Sequence, residues 1–339
     1  MTGHRAERLS NLELLRIVSM MMVLAVHIDG ASLGFPDLKG NASLATSRDA
    51  WILTVEAFTI IGVNCFTLIS GYFGIKFRWK SIGAYLFQCV FYSVGIYTLA
   101  SLLTPLEFSW TKWVESWMVL THTDLWYVPA YFFLMLLAPF INAGFSALTK
   151  TQTLTLTLLF LLFNVWAGWW WDGAFNPTGY TVVQLVLMYM IGRCIALFFK
   201  NDGTDPAPLR ADNNLLLLGL YILLSLLTAL YATWNPAKAF AYNSPFVIAQ
   251  SVVFFLIFTN LRFRSPFINY AAKSAFAVYL IHKAPLVWGN IMRPGVIKLW
   301  NSTTLGQFSF YAFVAIIVIY AVCMVADFVR RRFSALIFK

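Results

Sequence analysis

Charge is what this 339-residue sequence has least of. Only 11% of its residues are Asp, Glu, Lys or Arg, where a soluble domain carries about 25%. That shortfall leaves too little polar surface to cover the soluble domains the length would allow. Cysteine is also scarce. Cys65, Cys89, Cys194 and Cys323 all sit in apolar runs, with no CxxC pair among them, so a disulfide-stapled secreted fold and a zinc site are excluded. The four cysteines read as small buried apolar side chains. Walker A, GxGxxG, HExxH and GxSxG sequences are missing as well, which removes the common nucleotide, metalloprotease and serine-hydrolase chemistries. Disordered and collagen-like classes do not fit this composition.

Hydrophobic residues are what remains, at 60% of the chain. They gather into ten apolar runs near 11–28, 51–75, 81–103, 124–141, 152–170, 180–199, 214–233, 245–260, 274–291 and 308–327. A bilayer-spanning helix needs about 20 such residues. The expectation is an all-α polytopic membrane bundle of about ten transmembrane helices, forming a single domain over residues 1–339. No internal repeat is visible. The first run, Leu12 to Val26, follows basic residues but carries no A-x-A site, so it reads as a retained helix rather than a signal peptide. The stretch 201–213 combines Asp, Pro and Gly and is the clearest loop. Asn41 and Asn301 open glycosylation sequons of a kind that chance produces often.

The formal charge of +10 would suggest nucleic acid on a soluble protein. Here the cations fall in alternate loops, which is the positive-inside pattern. With the N-terminus inside, Arg5, Arg8, Lys76, Arg78, Lys80, Lys150, Lys200, Arg210, Arg262, Arg264, Lys273, Arg330, Arg331, Arg332 and Lys339 lie inside, and Lys39, Arg48, Lys112, Lys238, Arg293 and Lys298 outside. That is 15 against 6, so a cell-membrane protein with both termini cytoplasmic is expected, with lipids and not nucleic acid as its surroundings. Trp110, Trp113 and Trp117, and then Trp166, Trp169, Trp170 and Trp171, cluster at outer span ends. They suit an interfacial belt or a platform for sugar rings.

Ionisable groups inside a span are costly and mark pairing or function. The first span holds Glu13, Arg16 and His27. Eleven steps of about 100° bring Arg16 and His27 onto one helix face, roughly 16 Å apart. Glu13 precedes Arg16 by one turn and can pair with it. Glu56 lies about two turns into the second span, which ends in Gly62-Val63-Asn64 through Ser70-Gly71-Tyr72, followed by Lys76, Arg78 and Lys80. Three cations so close suit a polyphosphate, anionic lipid headgroups or topology alone. His122, Asp124, Leu125, Trp126 and Tyr127 open the fourth span, and His282 and Lys283 sit mid-way along the ninth. A mid-membrane histidine serves either as a helix-bridging hydrogen bonder or in chemistry. Arg193 reads as snorkelling, and Asp327 as an ordinary helix-end residue.

Together these residues resemble the membrane acyltransferase-3 family, which includes bacterial O-acetyltransferases of surface glycans. The likeness covers nearly the whole chain. It rests on Arg16-x10-His27 preceded by Asn11-Leu-Glu13, and on Gly62-Val63 through Ile69-Ser70-Gly71-Tyr72 with cations after it. It rests also on Leu125-Trp126-Tyr127 with Pro139, and on Ser274 through Tyr279-Leu-Ile-His282 to Pro285. The family's usual Arg-x-x-Arg is replaced by Lys76-Phe-Arg78-Trp-Lys80. The resemblance implies acetyl-CoA as co-substrate from the cytoplasm, no metal, and a hydroxyl of an extracytoplasmic or lipid-linked glycan as acceptor. Arg16, Lys76, Arg78 and Lys80 would hold the CoA phosphates. His27 would serve as general base or carry the acetyl group, with Glu56 or Asp124 fixing its tautomer. Asn64, Ser70, Trp126, Tyr127 and His282 would meet substrate or the oxyanion. A transporter or flippase of a lipid-linked sugar is the rival reading, although the paired half-repeats of secondary transporters are not evident. Oligomeric state is left open.

Overall fold

The computed structural model describes residues 9–171, 173–199 and 213–337. Arg5, Arg8, Lys200, Arg210 and Lys339, and the expected loop apart from Asn213, lie outside the described residues. Among those described, every element is helical. The main helices are α1 (Ser10–Ile28), α2 (Ser47–Thr59), α3 (Gly62–Phe73), α4 (Trp79–Leu103), α5 (Tyr127–Ala147), α6 (Lys150–Phe163), α7 (Val182–Phe199), α8 (Asn214–Ala232), α9 (Pro245–Thr259), α10 (Ala275–His282) and α11 (Leu305–Ile337).

Local chemistry explains most of the boundaries. Thr46 and Asp49 form a reciprocal capping box at the start of α2, and Thr149 and Gln152 do the same for α6, each satisfying amides a helix start leaves open. Asn213 accepts from the Leu216 amide to open α8. Pro245 occupies the first turn of α9, where its missing N–H costs nothing.

The expected count of about ten spans is not confirmed. Among the described residues, seven segments are long and apolar enough to cross a bilayer, namely Ser10–Leu33, Ser47–Phe73, Trp79–Leu103, Tyr127–Ala147, Lys150–Trp170, Asn214–Ala232 and Leu305–Ile337. Val182–Phe198 and Pro245–Thr259 are apolar but shorter; at 1.5 Å per residue, about 22 Å for the latter falls short of a ~30 Å hydrocarbon core. The ninth expected span is broken. α10 stops at His282, because Pro285 has no amide to continue the ladder, and Pro285–Val287, Trp288–Met292 and Arg293–Ser302 follow as separate turns and a helix. The second is a bent pair, α2 and α3, joined at Ile60–Ile61.

α1 runs through the middle of the bundle and packs on α2, α3, α9, α10 and α11. Its apolar residues are buried on nearly every side, as a helix hydrophobic all round must be. Close approach of its neighbours depends on small residues, the usual device where lipid is as apolar as the interface. A Cβ on Gly62 would stand 2.6 Å from the Ser19 carbonyl oxygen. Between α3 and α7, a Cβ on Gly71 would stand 2.2 Å from the Tyr189 oxygen, and one on Gly192 2.5 Å from that of Leu68. The four cysteines are free and buried. Large apolar side chains such as Leu215, Phe310 and Phe313 face outward, which suits lipid and not water.

Polar ties mark the two ends of the bundle. At the Arg16 end, Asn11 Nδ2 donates to Phe258 O at 3.0 Å and the Ser265 amide to Ser10 Oγ at 3.0 Å. Asp327 is fully buried there. It accepts from Tyr92 Oη at 2.7 Å, Ser274 Oγ at 2.9 Å and Arg330 Nε at 2.7 Å, and pairs with Arg331 Nε at 3.4 Å. At the His27 end, Arg48 donates to Trp300 O and Thr303 O, both at 2.6 Å, and Gly40 and Thr233 are joined through the backbone.

Candidate active site

Helical periodicity decides where the site begins. Arg16, Met20, Val23 and His27 are spaced by four, three and four residues, so one face of α1 carries them all. That face is one wall of a cavity of about 340 Å³, with Arg16 and His27 both lining it. Val63, Phe66 and Ser70 of α3 form a second wall, again at helical spacing. Tyr85, the Trp126-Tyr127 corner, Tyr131, Tyr242, Phe276 and Tyr279 close the rest. The path from Arg16 to His27 is about 16 Å at 1.5 Å per residue.

Stacked rings hold the aromatic wall. Tyr85 lies on Phe276 with centroids 5.2 Å apart, Tyr127 on Tyr131 at 5.4 Å, and Tyr85 Oη donates to Val128 O at 2.8 Å. Ser70 Oγ bonds Phe66 O and the Tyr131 hydroxyl, each at 3.1 Å.

The two ends differ in chemistry. At one, Arg16 Nη1 donates to Glu13 Oε2 at 3.0 Å, the expected one-turn pair, and this contact orients the guanidinium. Lys273, immediately before the buried Ser274, lines the same cavity. At the other end, Nδ1 of His27 and Nε2 of His282 are 2.8 Å apart, and Nδ1 of His282 is 2.6 Å from Val278 O. The Trp288 ring lies 5.5 Å from that of His27, and Lys283 Nζ sits 3.7 Å over its face. Ser32 Oγ donates to His27 O at 2.7 Å, tying down the end of α1.

Of the residues singled out from the sequence, Arg16, His27, Ser70, Trp126 and Tyr127 line the cavity, and His282 contacts His27. The others stand apart from it. Glu56 is buried, and its Oε2 accepts from the Gly30 amide at 3.4 Å. Asp124 is exposed, within electrostatic reach of Lys283. Neither carboxylate hydrogen-bonds His27 among the described residues; a second histidine takes that position. Asn64 is buried outside the cavity wall, its Nδ2 donating to Tyr242 O at 3.0 Å and its Oδ1 accepting from Gln184 at 3.3 Å. Lys76 and Arg78, between α3 and α4, and Lys80, in the first turn of α4, are exposed and do not line the cavity. Trp169 is buried and donates to Lys238 O, while Trp166, Trp170 and Trp171 face outward.

Three acidic or basic residues gain a place that sequence reasoning did not give them. Lys273 had counted only toward topology, although it directly precedes the Ser274 motif. Asp29, two residues after His27, is fully buried beside Glu56, with neither carboxylate oxygen hydrogen-bonded. Asp327 organises the Arg16 end.

A model of the acyltransferase-3 family, described as an acyltransferase domain, matches residues 9–325. The chain belongs to that family. It is therefore a membrane acyltransferase, with several apolar helices in a multi-pass arrangement. No curated protein and no solved structure matches it. The family match runs from the residue before α1 into α11, so both ends of the acyltransferase's cavity fall within it.

Proposed function

We propose that this acyltransferase moves an acetyl group from cytoplasmic acetyl-CoA to a hydroxyl of an extracytoplasmic or lipid-linked glycan, with His27 as general base. The observation that carries the reading is the cavity itself, lined by a cation at one end of α1 and an imidazole at the other. Its Arg16 end faces the cytoplasm of the inner or plasma membrane, with both chain termini on that side, as the distribution of Lys and Arg favours.

The residues suit the donor. A pantetheine arm is long and thin, a shape suited to a cavity lined from Arg16 to His27. Arg16 and Lys273 meet the nearest phosphate at the mouth, and Lys76, Arg78 and Lys80 attract the outer ones from the surface. At the other end His27 takes the proton of the acceptor hydroxyl as its oxygen attacks the thioester carbonyl. The C–S bond then breaks, and the CoA thiolate recovers that proton from His27. Ser70 and Tyr127 supply hydroxyls in the cavity wall that can donate to the developing oxyanion. The amide nitrogen of Asn64, outside the cavity wall, already donates to the Tyr242 carbonyl.

The test is thiol release from acetyl-CoA by purified protein given a glycan acceptor, combined with mass spectrometry of surface glycans from cells with and without the gene. His27→Ala should abolish acetyl-ester formation while the protein stays folded and inserted. Full activity in that variant would discard the assignment of His27, and no gain of ester with the intact protein would discard the reaction.

A further inference from the structure

The sequence places His282 among the candidate oxyanion donors, but its hydrogen bonds leave no proton for that task. Nδ1 of His282 stands 2.6 Å from the carbonyl oxygen of Val278, one turn earlier on α10. A carbonyl oxygen only accepts, so this nitrogen carries the hydrogen, and in a neutral ring Nε2 is then bare. That bare Nε2 lies 2.8 Å from Nδ1 of His27. His27 must therefore donate through Nδ1, which leaves its own Nε2 without a hydrogen. No hydrogen bond engages this Nε2 among the described residues, and His27 lines the cavity. A protonated His282 would reverse the order. Both of its nitrogens would donate, His27 would have to accept at Nδ1, and its Nε2 would hold a proton and could not act as a base.

We propose that His282 is a positioning residue for His27. The chain from the Val278 carbonyl through His282 holds His27 in its Nδ1–H tautomer and leaves Nε2 as the atom that removes the acceptor's proton. This rests on His27 acting as base. It assigns to a neutral imidazole, anchored on a backbone carbonyl, the orienting role that a carboxylate fills in a Ser-His-Asp triad. Two features keep that anchor in register. Ser274, just before α10, is bonded to the buried Asp327, and Pro285 ends the helix directly beyond His282.

Three substitutions in the full-length protein separate accepting ability from bulk. His282→Met fills similar space with only a weak thioether acceptor, His282→Lys offers only donors, and His282→Gln restores a strong acceptor. The Met and Lys variants should lose kcat by about a hundredfold or more while KM for acetyl-CoA stays within about threefold, and Gln should recover to within about tenfold of the parent. Nitrogen-15 spectra of histidine-labelled wild-type protein should show both His27 and His282 as Nδ1–H tautomers. A His282→Met enzyme with parental kcat, beside an inactive His27→Ala, would overturn the positioning role and leave the base intact. Parental kcat in His27→Ala would instead remove the base on which it rests. Spectra with the His27 hydrogen on Nε2 would overturn the proposal whatever the variants do.

Discussion

Removing the Asp327 carboxylate should destabilise this bundle by about 3–5 kcal/mol, the usual consequence of breaking a buried ion pair from one side. The structure gives the reasons. Asp327 is fully buried and holds Arg330, itself only 7% exposed, through contacts of 2.7 and 3.2 Å. It also accepts from Tyr92 of α4 and from Ser274 ahead of α10, so one side chain on α11 ties three parts of the fold together. In Asp327→Ala the guanidinium stays buried without its partner, and two hydroxyls lose their acceptor at about 1 kcal/mol each. An unfolding entropy of about 2.1 cal/mol/K per residue over 339 residues converts 3–5 kcal/mol into a fall in Tm of about 4–7 °C. The assay is a thermal melt in detergent. Asp327→Leu combined with Arg330→Leu should regain much of the loss, because the more deeply buried of its two guanidinium partners goes with it and only Arg331, 18% exposed, is left without a counter-ion. An Asp327→Ala protein melting within about one degree of the parent would refute the reasoning, since a buried cation cannot lose its counter-ion at no cost.

Arg16→Gln should raise KM for acetyl-CoA by about 10- to 100-fold, the equivalent of one charge-assisted hydrogen bond of about 1.5–3 kcal/mol, with kcat little changed. Arg78→Gln with Lys80→Gln, both at exposed positions, should raise it by less than about fivefold and lose even that in high salt. Equal effects from the two sets would contradict the distinction between mouth and surface. Gly71→Ala should lower Tm by about 1–4 °C through overpacking of about 1–3 kcal/mol, because its Cβ would press on the Tyr189 carbonyl. Gly219→Ala, with nothing within 4 Å of the added carbon, should leave Tm unchanged or raise it.

Much of the site was legible one helix at a time. The alignment of Arg16 with His27 and the pairing of Glu13 with Arg16 follow from 3.6-residue periodicity, which neighbouring residues set by themselves. Ser70 and the Trp126-Tyr127 corner came with their motifs. What misled was depth taken as proximity. Glu56 and Asp124 lie near the level of His27 along the chain's passes, yet Glu56 turns to the Gly30 amide and Asp124 stays exposed. Lys76, Arg78 and Lys80 supplied local charge without entering the cavity, whereas Lys273, unremarked among the basic residues, lines it.

The sequence by itself determined that this is a bundle of membrane helices, because a chain 60% hydrophobic and 11% charged has no other way to satisfy its backbone and hide its surface. It also set which residues share a face on each helix. Only the tertiary structure decided which faces meet. His27 and His282 are 255 residues apart in the chain. Their contact depends on α10 packing directly against α1 and on where Pro285 stops α10. Such register between helices is fixed by packing at several surfaces at once, and no local pattern encodes it.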